Sequence, residues 1–199
     1  MNYDMTKKTL SILFAILFFI LFNNISFGQT YSSKISDKEI YKFMNWMSRN
    51  QKIKPEEPKG EIKFISQEIS KWDSALFLPQ DIATKYSLKY ATRYLFKEDG
   101  IDTIFTIQDQ QFMFDQFTSI KDTIWHKQFE NSKLWDGKEQ ERMNLHYYSI
   151  PLFSRDKKYV LIIKKYFCGN VCGSIGYYIY QRIDRKTWKG YRILRHGIS

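Results

Sequence analysis

The run Tyr159-Val-Leu-Ile-Ile-Lys-Lys-Tyr-Phe167 decides the fold of this chain. It is rich in β-branched and aromatic residues. The polar turn Ser154-Arg-Asp-Lys-Lys158 precedes it and the glycine-rich stretch Cys168-Gly-Asn-Val-Cys-Gly-Ser-Ile-Gly176 follows it. Such a run between turn signals reads as a β-strand. Its first half is apolar at successive rather than alternate positions, so both of its faces need cover. The strand therefore belongs in the middle of a sheet, under an N-terminal helix. Downstream, Tyr177 to Ile183 and Trp188 to Leu194 repeat the same chemistry, separated by Asp184-Arg185-Lys186. Three strands with short connections predict an antiparallel meander.

Working outward toward the N-terminus, Ser36-Asp37 can cap a helix to about Asn50, with Ile40, Phe43, Met44 and Met47 forming one apolar stripe. Lys52 to Gly60 reads as a loop, and Glu61 to Trp72 fits a strand or a helix equally. Gln80 to Lys97 predicts an amphipathic helix through Tyr86, Tyr90, Tyr94 and Leu95. Ile101 to Ile107 alternates as a strand, Asp109 to Phe117 suits a short helix, and Asp122 to Phe129 suits another strand. The expected fold class is α+β: N-terminal helices packed on an antiparallel sheet that ends in a three-stranded meander. Residues 29–199 are read as a single domain.

The N-terminus holds Lys7-Lys8, an apolar run from Leu10 to Phe22, and small residues at Ser26 and Gly28. These are the three zones of a cleavable secretion signal over residues 1–28. Asn23-Asn24 ends the apolar run short of the roughly 20 residues a membrane span requires. The mature chain is thus expected in the periplasm or secreted, with no transmembrane segment of its own.

The charge is unevenly distributed. The net charge is +10 over the whole chain. Residues 29–154 balance 18 basic against 18 acidic side chains, whereas residues 155–199 hold 11 basic residues and only Asp156 and Asp184. A one-sided positive field attracts an anionic polymer or an acidic protein surface. Lys164, Lys165, Arg182, Lys189 and Arg192 are the candidate anion-binding residues. The competing reading makes them the solvated rim of a sheet, where charge blocks edge-to-edge association. Nucleic acid is not the expected anion, since no nucleic-acid motif is present.

Both cysteines of the chain, Cys168 and Cys172, lie four positions apart. In an exported protein this spacing invites a disulfide that shapes a tight turn more than it stabilises the domain. Redox exchange is the sharper alternative, but the spacing exceeds Cys-x-x-Cys and the pair lies between strands. His126, His146 and His196 stand at no ligand-like spacing from the cysteines, so neither a metal site nor a cofactor is expected. The glycines offer a backbone nest for an anion. Ser154-Arg-Asp-Lys157 matches Ser-x-x-Lys, but in a turn rather than at a helix start. Trp135, Trp188 and Tyr180 suggest stacking on sugars, against the commoner role of sheet aromatics as core.

The C-terminal half, roughly residues 105–199, resembles a group of uncharacterised exported proteins of Bacteroidetes-type bacteria. The similarity rests on Asp109, Phe112 and Gln116 in a helix, on the Pro-Leu-Phe-Ser-x-Asp turn from Pro151 to Asp156, and on Cys-Gly-x-x-Cys-Gly from Cys168 to Gly173. Trp188-Lys189 and the Gly197-Ile198-Ser199 ending complete it. The group usually has more glycine after the second cysteine than Ser174-Ile175 provides. The resemblance implies no activity. The favoured expectation is a non-catalytic exported binding or structural module; the alternative is a hydrolase of envelope or extracellular polymers.

Overall fold

The structure, a computed structural model, describes residues 30–50, 62–72, 101–137, 144–168 and 172–198. The expected signal peptide and the helix predicted over residues 80–97 lie outside the described residues. Two α-helices and seven strands are present among those described: α1 (Asp37–Asn50), β1 (Lys63–Ser66), α2 (Ile107–Thr118), β2 (Ser132–Trp135), β3 (Leu145–Tyr148), β4 (Leu152–Phe153), β5 (Tyr159–Phe167), β6 (Gly173–Arg182) and β7 (Trp188–Ile198). The fold class is α+β.

The seven strands form one sheet in the order β2-β1-β3-β5-β6-β7, with β4 paired to β5 beyond the end of β3. The sheet is mixed, which corrects the antiparallel expectation. β5, β6 and β7 do pair antiparallel in succession, but β1 runs parallel to both β2 and β3. Parallel pairing requires a crossover, and the connection from β1 to β2 supplies one that contains α2.

β5 is central, and its alternation settles what covers each face. Val160 and Ile162 pack in one cluster with Phe43, Trp46 and Met47 of α1. Leu161 and Ile163 pack in another with Ile101, Ile104, Phe105 and Met113. The sheet therefore has a layer on either side, which explains the unbroken apolar run in the sequence. Ser36 precedes α1 and caps it, its hydroxyl accepting from the Glu39 amide at 3.4 Å.

Two predicted strands take other forms. Residues 101–107 start as a 3-10 turn and end in α2, because Thr106 and Asp109 make a capping box that commits the chain to helix. Residues 122–129 make only the bridge Glu68↔Ile124. The hydroxyls of Tyr31 and Tyr41 take up the amides of His126 (2.8 Å) and Lys127 (2.9 Å), so side chains replace the missing ladder. The predicted loop over residues 168–176 is shorter than expected, since β6 already begins at Gly173.

α2 joins the sheet through hydrogen bonds at both ends. The Gln116 amide, buried at 1% exposure, donates to the Phe153 carbonyl at 2.6 Å and accepts from the Phe153 amide at 2.9 Å. At the other end the Asp109 carboxylate accepts from the Arg155 amide at 2.9 Å. The helix pattern and the Pro-Leu-Phe-Ser-x-Asp turn noted in the sequence are thus two halves of one clasp. Between β3 and β4, Ser149 keeps the ladder continuous: its hydroxyl accepts from the Ile163 amide at 3.0 Å where Pro151 follows without a donor.

Candidate functional site

α1 ends at Asn50, and beyond that point the stripe on β5 changes from Val160 and Ile162 to Lys164 and Tyr166. A cavity of about 710 Å³ opens there, between the C-terminal turn of α1 and strands β3, β5, β6 and β7. Its walls include Trp46, His146, Tyr166, Tyr178 and Tyr180 together with Lys164. Lys165, Lys189 and Arg192 border it through the strands, but their register places them on the opposite face of the sheet: Lys165 follows Lys164 on β5, Lys189 pairs with Gln181 and Arg192 with Ile179. No Asp or Glu is among its described lining residues.

Arg182 is placed differently. It forms an ion pair with Glu39 of α1, and its guanidinium lies 4.8 Å from the centroid of Trp188. It acts as a strut between helix and sheet.

Lys164 is the unusual group. Its ammonium donates to the Tyr180 hydroxyl at 2.8 Å and stands 3.6 Å from the centroid of the Tyr178 ring. Burial, and secondarily the charge of Lys63, pull its pKa down to about 7. The neighbouring tyrosines cannot supply a counter-charge, because burial raises the pKa of both Tyr178 and Tyr180. His146, 4% exposed, stacks on Tyr166 at 4.8 Å between centroids. Burial, then Lys63 and Lys164, lowers its pKa to about 3, so it is neutral at physiological pH.

Gly176 makes this arrangement sterically feasible. It pairs with Lys164 across β5 and β6, and a Cβ at this position would lie 2.6 Å from the Tyr178 ring. The ring leans over the bare backbone and comes under the ammonium. Gly176→Ala is expected to displace Tyr178, lose the cation–π contact and cost about 1–3 kcal/mol. A thermal melt of the variant checks this; an unchanged midpoint would show that the ring yields freely.

The remaining sequence candidates lie elsewhere. Cys168 and Cys172 stand at disulfide-bonding distance with Cα atoms 5.3 Å apart, and the Cys168 amide bonds the Cys172 carbonyl at 3.2 Å. His126 pairs with Asp122 at 2.5 Å, away from the cavity walls, and the hydrogen bond lowers the Asp122 pKa. The Ser154 hydroxyl, fully buried, is occupied by Asp156 and by both backbone groups of Tyr159. Trp188 is 3% exposed and part of the core. Trp135 lies on β2, at the far end of the strand order from β7. Among the described residues, no three His, Cys, Asp or Glu side chains come together as a metal site, and no helix is long and apolar enough to cross a membrane.

Sequence reasoning missed His146, Tyr166 and Tyr178 as site residues. The available signal was the position of Lys164, two residues beyond Ile162 on the same strand face. A lysine continuing an apolar stripe marks the place where core gives way to site. No protein family, curated protein or solved structure matches the chain, so the reading of the site rests on its geometry.

Proposed function

We propose that this chain is an exported, non-catalytic binding module that holds part of an anionic polymer on one basic face of strands β5 to β7. The observation that carries this reading is that alternation and register put Lys165, Lys189 and Arg192 on the same face of these strands, opposite Lys164. Three cations on one face make a field that concentrates anions. The half-exposed Tyr191, whose ring meets Tyr159 on that face, adds a ring suited to the C–H face of a sugar, which favours an acidic polysaccharide over an acidic protein surface. The hydrolase alternative has little support, since the described walls of the cavity beside α1 hold His146 without the carboxylates that such chemistry uses.

Calorimetric titration with a uronic-acid oligosaccharide, alongside its neutral counterpart, tests the proposal. The acidic oligomer is expected to bind and the neutral one not, with affinity falling between 50 and 200 mM salt as exposed charges are screened. Lys189→Glu and Arg192→Glu should each weaken binding roughly tenfold, the equivalent of one charge-assisted hydrogen bond. Equal binding of both oligomers, or binding indifferent to these variants, would refute the assignment. Export is tested separately by the mass of the mature protein from its native host, expected to begin near Gln29.

A further inference from the structure

We propose that Lys164 is a carbonyl-capturing amine that forms a reversible imine with the aldehyde or ketone of a small ligand in the cavity beside α1. This chemistry stands on the surroundings of Lys164 alone, independently of the anion-binding reading above.

Lys164 lies on the cavity wall beside Tyr178 and Tyr180, and no carboxylate lines that wall among the described residues. Its Nζ is 2.8 Å from the Tyr180 hydroxyl and 3.6 Å from the Tyr178 ring centroid. A lysine used only for charge would be served better by an acidic partner or by solvent. Here burial and Lys63 bring the pKa to about 7, so a large fraction of the amine carries a free lone pair at neutral pH. His146, on the same face, is held neutral by burial and the nearby lysines and adds no competing charge. A hydroxyl proton within reach of the amine completes what the reaction needs.

The nitrogen lone pair adds to the carbonyl carbon while the carbonyl π pair moves to oxygen. That oxygen takes the Tyr180 hydroxyl proton, and the nitrogen, now carrying an extra proton, returns one to the tyrosine oxygen. The carbinolamine then loses its hydroxyl as water, again with the Tyr180 proton, and the nitrogen releases its remaining proton to restore the phenol as C=N forms. The balance is amine plus carbonyl giving imine plus water, with no oxidant or reductant.

The experiment treats the full chain at pH 7 with glyoxylate, reduces any imine with borohydride, and maps the adducts by mass spectrometry. Lys164 is expected to label on the order of 100-fold faster than the exposed Lys158 and Lys186, reflecting its larger free-amine fraction. Tyr180→Phe, which keeps the ring, should slow the labelling about tenfold or more. Labelling of Lys164 no faster than of Lys186 overturns the capture, even if the acidic oligosaccharide binds.

Discussion

Lys164→Met is expected to make the protein more stable at pH 7, by roughly 2–3 kcal/mol. Lys164 has a pKa of about 7 in the fold against 10.5 ordinarily. Keeping it buried therefore costs roughly 4 kcal/mol at pH 7, because the unfolded chain binds a proton the folded one half releases. Methionine continues the stripe of Val160 and Ile162 without that cost, and the Tyr180 hydroxyl left without its partner returns about 1–2 kcal/mol of penalty. The sign fixes the pH dependence. Between pH 7 and 10.5 the unfolded state holds more protons, so the wild type gains stability as pH rises, and the advantage of the variant shrinks. At pH 9.5 the lysine cost falls to about 1 kcal/mol. Tyr178 and Tyr180, whose pKa values burial raises, act oppositely above pH 10, which is why 9.5 is the upper limit of the comparison. Toward acid, His146 with its pKa of about 3 makes both proteins lose stability as pH falls below about 6.5. Urea denaturation at pH 7 and 9.5 measures the difference directly. A variant less stable than wild type at pH 7 would mean that the ammonium is well solvated in the fold, and the free-amine argument would lose its basis.

Gln116→Ala should have the opposite effect and a larger one, costing about 3–5 kcal/mol. The Gln116 amide meets both backbone groups of Phe153 as a neighbouring strand would, and its Nε2 also reaches the Phe112 carbonyl at 3.2 Å. Removing it leaves a buried N–H and C=O with no partner and empties space in the core beside Phe153. Gln116→Glu is the sharper control. Its carboxylate can accept from the Phe153 amide but cannot donate to the carbonyl, so the variant should be unstable at neutral pH. It should recover in part on acidification, as the protonated acid regains a donor. Denaturant melts of both variants at pH 7 and 5 read this out. A loss under 1 kcal/mol for Gln116→Ala would show that water replaces the amide.

How much of this was legible in the sequence depends on the range of the contact that decides each feature. α1 was legible because its apolar stripe and its cap at Ser36 are local. β5 was legible because its run of Val160 to Ile163 admits little but a covered strand. Residues 101–107 misled because alternation is a weak signal over seven positions and the Thr106–Asp109 cap outweighs it. Residues 122–129 misled because β-branched and aromatic residues mark burial as readily as pairing, and Trp125 is fully buried without a ladder. In the site, the cations were legible from the charge imbalance. The burial that changes Lys164 from an ordinary surface cation was not, since it depends on α1, β6 and β7 meeting around it.

The sequence by itself determined the α+β class, the meander of β5 to β7, the proximity of the two cysteines and the concentration of positive charge in the last 45 residues. All of these follow from neighbours along the chain or from composition. The tertiary structure alone decided that β1 runs parallel between β2 and β3, that Gln116 clasps Phe153, and that Arg182 braces Glu39 while Lys164 lines a cavity and Lys165, Lys189 and Arg192 take the opposite face. Those outcomes join residues dozens of positions apart, and the free energy that selects them comes from desolvation and packing, which exist only once the layers have closed.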